Sequence, residues 1–234
     1  MSKPSGYIKE SIIGVVVGLS LYYIGYKVSA IKKKKMLLAE NKIIVGNKFN
    51  VYLFILEFEK LDLKRPVIIE ITSFGGNYHS FFQAIEYIYY KKSEFNFEII
   101  CHIPFYACSG GWLLAQCADR FVMNKHSSVS PFDSQIVIQN EKEKSNMYPL
   151  AMIKNIKNKD LAKINLKNEY FKYVATTYNL LSKEKFDMIA KMNKWTDERK
   201  NEIYDTFMSG KYPHNENFMA HQLIKLGYCI TFFQ

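Results

Sequence analysis

The most restrictive feature of this chain is a pattern that occurs twice: a short apolar run, a turn holding a glycine pair, and then a helical repeat. Val67 to Thr72 is rich in β-branched residues and ends at Ser73, Phe74, Gly75, Gly76 and Asn77. Phe81, Phe82, Ala84, Ile85, Ile88 and Tyr89 then recur at helical spacing. Phe97 to Ile103 repeats the strand, Pro104 to Cys108 forms a loop, and Ser109, Gly110 and Gly111 open a helix from Trp112 to Cys117. Phe121 to Met123 supplies a third short strand. Such alternation predicts a parallel sheet with helices on its faces. Turns at the carboxyl ends of adjacent strands then meet in one crevice, where open α/β sheets keep their sites.

Around this centre, Val51 to Phe58 is an apolar run broken only by Glu57, the text beyond Pro149 is helical almost to Gly210, and Tyr228 to Phe233 is the last strand candidate. A chain of 234 residues accommodates one such domain and an accessory segment. The boundaries expected are a tail at 1–10, a transmembrane or membrane-docking helix at 11–31, a basic linker at 32–48 and the α/β domain at 49–234.

The 11–31 segment carries no charge from Ile12 to Tyr26 and continues apolar to Ile31, with only Lys27 intervening. About 20 apolar residues cross a bilayer, and Lys27 can snorkel to the interface. Tyr22, Tyr23 and Tyr26 lie where aromatic belts sit, and Lys32 to Lys35 follow as a stop. The heavier basic flank lies after the span, which predicts a cytoplasmic domain. A cleaved signal peptide ending near Val28, Ser29 and Ala30 and a soluble docking helix are the other readings.

The formal net charge is +10. It reflects a lysine-rich composition, for no zinc-finger spacing or aromatic-studded basic strand marks a nucleic-acid platform. Cys101, Cys108, Cys117 and Cys229 form no CxxC pair or metal-ligand spacing, so neither a metal nor a disulfide framework is expected. No Gly-x-Gly-x-x-Gly fingerprint occurs, which removes the usual dinucleotide site.

Gly75 and Gly76 let main chain approach a substrate closely, and Ser109 stands at a strand-to-helix turn beside free N–H donors. A serine so placed can act as an acyl-transfer nucleophile. Taken alone, Ser109 reads more readily as a helix N-cap and the glycines as turn residues, and it is the pairing of the two motifs that points to chemistry.

The stretch from Ile69 to Gln135 resembles the Clp protease and signal peptide peptidase superfamily, and within it the serine dehydrogenase proteinase family of membrane-anchored, Clp-like serine proteases. That family's serine-proline-glycine-glycine turn is matched by Ser73, Phe74, Gly75 and Gly76. Its alanine-x-serine-glycine motif is matched by Ala107 to Gly111, and its leucine-alanine-x-x-alanine-aspartate stretch by Leu114 to Asp119. A glycine-proline-valine-aspartate-proline-glutamine loop is echoed by Ser130 to Gln135, a tyrosine-proline segment by Met147 to Ile153, and a glycine-x-x-x-histidine motif by Gly210 to His214. Phe74, Ser130 and Ser134 depart from the pattern.

The resemblance implies a Clp/crotonase-type α/β fold of repeated β-β-α units after an N-terminal transmembrane helix, a homo-oligomer assembled through its helical face, and hydrolysis of polypeptides without a cofactor. Ser109 would be the nucleophile, Lys154 the general base with Lys144 and Lys157 as competitors, and the N–H groups of Gly76 and Gly110 the oxyanion hole. Phe74, Gly75 and Asn77 would contact substrate. A lysine serves as a base only where its surroundings depress its pKa. A Ser-His-Asp triad is disfavoured, because the Clp histidine position falls at Phe132 or Asp133, and His79, His102 and His126 read as structural or exposed. The departures leave a non-catalytic Clp-like scaffold as the alternative. An acyl-CoA enzyme of the crotonase type would need pocket carboxylates, for which Glu70 and Glu86 are poorly placed.

Overall fold

The computed structural model describes residues 22–23, 25–29, 32–33, 36–37, 39–139, 145–150 and 168–233. The chain divides into two compact units, Met1–Asn41 and Lys42–Gln234. In the first, residues 25–29 are helical. No helix among the described residues is long and apolar enough to cross a membrane, and most of the 11–31 segment lies outside them.

The second unit is built on a five-stranded parallel sheet. In chain order its strands are β1 (Lys42–Val45), β2 (Val67–Ile71), β3 (Ile99–Ile103), β5 (Arg120–Met123) and β10 (Ile230–Phe232), and they are neighbours in that order. The register is fixed by pairs such as Ile43↔Ile69, Ile69↔Cys101, Cys101↔Phe121 and Phe121↔Ile230. Two-residue strands β4 (Tyr106–Ala107), β6 (Ser128–Val129) and β9 (Phe218–Met219) form a second small sheet. A hairpin of β7 (Gln135–Gln139) and β8 (Ser145–Pro149) completes the strands.

The helices follow from their caps and periodicity. Helix α1 (Val51–Phe58) starts where the Asn50 side chain accepts the Leu53 N–H. This apolar run buries Phe54 and Phe58 and leaves Tyr52, Leu53 and Leu56 exposed. Helix α2 (Tyr78–Glu94) is capped by Asn77, which accepts the Ser80 N–H, and carries Lys91 and Lys92 in its last turn, where cations suit the helix dipole. Helices α3 (Gly110–Ala115), α4 (Asn168–Met192), α5 (Asp197–Phe207) and α6 (Ala220–Lys225) follow.

Three expectations are modified. Strand β1 falls in the stretch read as basic linker, because Ile43 and Val45 fill the core beside β2 while Lys42 meets Glu70. The β-β-α repeat is complete as β3-β4-α3, while after β2 its second strand is reduced to the single bridge of Ser73 with Ala107 and after β1 none is seen among the described residues. The parallel sheet also has one buried and one partly open face. Ile69, Ile71, Ile99, Cys101, Ile103 and Met123 are buried in the helix-lined core. The alternating Ile44, Glu70, His102 and Val122 retain solvent contact, which the period of two along a strand requires once only one face is covered.

Candidate active site

The carboxyl ends of β2 and β3 are tied together by a parallel bridge between Ser73 and Ala107. Ser73 N–H donates to the Tyr106 carbonyl (3.2 Å), and Cys108 N–H donates to the Ser73 carbonyl (2.8 Å). Both glycine turns are thereby held against each other. Gly75 is buried with φ +95°, and a Cβ there would lie 2.7 Å from Ser109 Cβ and 3.0 Å from the Gly110 nitrogen. Gly110 is equally confined: a Cβ there would come within 2.4 Å of the Phe81 ring. Only glycine fits at either position without displacing its neighbour.

Ser109 has φ 50° and ψ −125°, a backbone conformation that a residue with a Cβ holds only when its surroundings impose it. It occupies the N-cap position of α3, but its hydroxyl makes no capping hydrogen bond. The N-cap reading therefore explains its place in the chain and not its side chain.

The backbone donors of the two turns can be accounted for one by one. Phe74 N–H donates to Asn47 Oδ1 (2.8 Å) and Gly75 N–H to Ser73 Oγ (3.1 Å). In the second turn, Ser109 N–H donates to Ser130 Oγ (3.2 Å) and Gly111 N–H to the Cys108 carbonyl (2.9 Å). The N–H groups of Gly76 and Gly110 have no acceptor among the described residues.

Beyond Ser130 the loop reaches Asp133, whose side chain is 1% exposed and whose Oδ1 lies 2.7 Å from His214 Nδ1. An imidazole that donates from Nδ1 to a carboxylate keeps its lone pair on Nε2, the arrangement of a general base and its orienting acid. Asp133 Oδ2 is buried without a partner among the described residues, so His214 is the one group seen to compensate this carboxylate. Phe132 is buried against Phe186 and Phe207 and fills space without offering chemistry. Sequence reasoning missed the pair because its members lie 81 positions apart. The available signal was the Gly210-to-His214 motif, which ends on a histidine.

Of the other expected site residues, Phe74 is 65% exposed beside the turn. Asn77 spends its side-chain oxygen on capping α2. Lys154, Lys144 and Lys157 lie outside the described residues. Glu70 is engaged with His102 (3.1 Å) and Lys42 (3.5 Å) on the sheet, and Glu86 with Lys185, so neither serves the crevice. Cys108, next to Ser109, has its thiol pushed up by burial, which a hydrogen bond to Ser130 partly offsets. No cluster of potential metal ligands occurs among the described residues.

A mostly parallel α/β sheet with paired glycine turns and a constrained serine at its carboxyl edge defines a Clp-like protein. Residues 66–231 match the family described as ClpP-like SDH-type serine proteinase, and the chain belongs to that family. It is 27% identical over 153 residues to an uncharacterized protein of Methanocaldococcus jannaschii, a match covering 62% of this chain and 46% of that protein; the chain thus spans about half the length of this relative. The crystal structure of a peptidase from Plasmodium falciparum superposes with a TM-score of 0.50 at 13% identity, covering 86% of this chain and 99% of that one. At that identity the likeness concerns the fold alone.

Proposed function

We propose that the protein is a serine peptidase that hydrolyses polypeptides through an acyl-enzyme on Ser109. The observation that carries this reading is the donor accounting: in the two apposed glycine turns the Gly76 and Gly110 N–H groups have no acceptor among the described residues, and the hydroxyl of Ser109 makes no capping hydrogen bond. Ser109 Oγ would attack the scissile carbonyl, the carbonyl oxygen would take negative charge, and these two N–H groups would stabilise it. The base takes the Ser109 proton and delivers it to the leaving amine, and water then repeats the cycle on the ester.

Two bases compete. The resemblance favours Lys154, while the Nδ1–Oδ1 contact to buried Asp133 favours His214. Only two residues separate Asp133 from Ser130, whose hydroxyl accepts the Ser109 amide N–H. We assign the role to His214, oriented by Asp133. Anchoring through the 11–31 segment, with the domain on the cytoplasmic side, and assembly of copies into a homo-oligomer belong to the same proposal; the partly open face of the parallel sheet supports association, since such sheets are ordinarily covered on both sides.

Hydrolysis of a denatured protein substrate, with the enzyme purified in detergent, tests the reading. Ser109→Ala should remove turnover, by roughly 10⁴-fold or more. His214→Gln should remove nearly as much while Lys154→Ala retains activity. The opposite ranking would return the base to Lys154, and turnover that survives Ser109→Ala would leave the non-catalytic scaffold as the better account.

A further inference from the structure

Phe74 stands where the family's turn carries proline, and its side chain is 65% exposed immediately before Gly75. It is nonetheless fixed. Its ring stacks on Tyr106 at 4.2 Å between centroids and 17° between planes. Its N–H is held by Asn47 Oδ1 at 2.8 Å, and Asn47 Nδ2 reaches the Tyr106 hydroxyl at 3.4 Å. One side chain from the loop after β1 therefore braces both members of the stack. Proline has no N–H to offer, so this brace depends on the departure from the family pattern.

The ledge is apolar where the turn beside it is polar. The N–H groups of Ser73, Phe74 and Gly75 are all occupied within the protein, so up to Gly76 this turn offers a ligand ring surface and no main-chain donor. A ligand that fits has a carbonyl for Gly76 and Gly110 and a bulky apolar group close to it. We infer that the Phe74–Tyr106 stack, positioned by Asn47, is a specificity subsite that selects polypeptides carrying a large aliphatic or aromatic side chain next to the bond that is cut. This inference rests on the peptidase reading of the same crevice.

The test is cleavage of an equimolar library of synthetic peptides, with cut sites read by mass spectrometry and the Ser109→Ala background subtracted. The wild-type enzyme should enrich Phe, Leu, Tyr or Ile at one position flanking the cut, by about tenfold over Ala and Gly, the scale on which an apolar pocket discriminates. Phe74→Ala should reduce that enrichment below about twofold, and Phe74→Leu, which keeps apolar bulk without the stack, should fall between. Asn47→Ala should blunt the preference and Asn47→Asp, which keeps the acceptor for the Phe74 N–H, should restore it. Thermal unfolding of each variant separates these effects from loss of the fold. An enrichment unchanged in Phe74→Ala, or a wild-type preference for charged or small residues, overturns the subsite while leaving the peptidase standing. If no cut depends on Ser109, the peptidase reading fails and the subsite with it.

Discussion

The two edges of the parallel sheet solve opposite problems. At the carboxyl edge, Gly75 (φ 95°), Gly76 (φ 150°) and Ser109 (φ 50°) depart from ordinary backbone, and the Gly76 and Gly110 N–H groups have no acceptor among the described residues. At the amino edge charge ties the chain down. Asp119 Oδ2 accepts both the Ile99 N–H and Lys92 Nζ at 2.7 Å, Asp119 N–H returns to the Ile99 carbonyl at 2.9 Å, and Arg120 forks onto Glu98 at 2.5 and 3.2 Å. A cavity of about 620 Å³ lies at this edge, lined by Lys92, Asp119, Trp195, Arg199 and Tyr228 among others. Size does not make it the site. Of its charged groups, Lys92 is paired with Asp119, and Arg199 with Glu202 and the Leu226 carbonyl. Unmet hydrogen bonds beside a strained serine, not volume, mark the edge where chemistry is expected.

The contrast can be broken experimentally. The largest effect should come from Gly75→Ala, which forces a Cβ to 2.7 Å from Ser109 Cβ at a φ that disfavours any side chain. We expect activity to fall by two orders of magnitude or more and stability by roughly 1–3 kcal/mol; unchanged hydrolysis would separate Gly75 from the crevice. At the other edge, Asp119→Ala should cost stability by about 1–3 kcal/mol, because the Ile99 N–H and Lys92 lose a shared acceptor. The kcat of the folded fraction should stay as in the wild type, and a fall in it would show that the two edges are coupled.

A smaller effect of opposite sign is expected from Ser109→Gly. Glycine relieves the φ 50° conformation, so Tm should rise by roughly 2–4 °C for about 1 kcal/mol gained, while activity is lost. A lowered Tm would mean that Ser109 is not strained. Smallest is a difference in thiol reactivity. Burial raises Cys101 and pushes Cys117 up to about 12, and also raises Cys108. A raised pKa leaves less thiolate at a given pH, so iodoacetamide at pH 8 should modify exposed Cys229 first, Cys108 slowly and faster as pH rises, and the buried pair only on unfolding.

Much of the carboxyl edge was legible in the sequence because its determinants are local. The β-branched run of β2, the glycine pair after it, and the Ser109-Gly110-Gly111 turn each announce themselves within a few residues, and the alternation of strand and helix orders them. What was hidden depends on distant partners. Lys42–Val45 is four residues of strand beside a lysine-rich stretch, and only pairing with β2 makes it one. The Asp133–His214 contact and the brace from Asn47 to Phe74, which spans 27 positions, leave no periodic trace at all. The second strands of the β-β-α units, such as β4 and β6, are two residues long, too short to carry a pattern in the sequence.

The central claim is that the fold activates Ser109, and the most direct measurement is reaction of the purified protein with diisopropyl fluorophosphate, followed by intact mass and site mapping. The account predicts one added phosphoryl group per chain, located on Ser109 and absent from the Ser109→Ala variant. A folded protein that stays unmodified, or that is labelled equally at other serines, would contradict it.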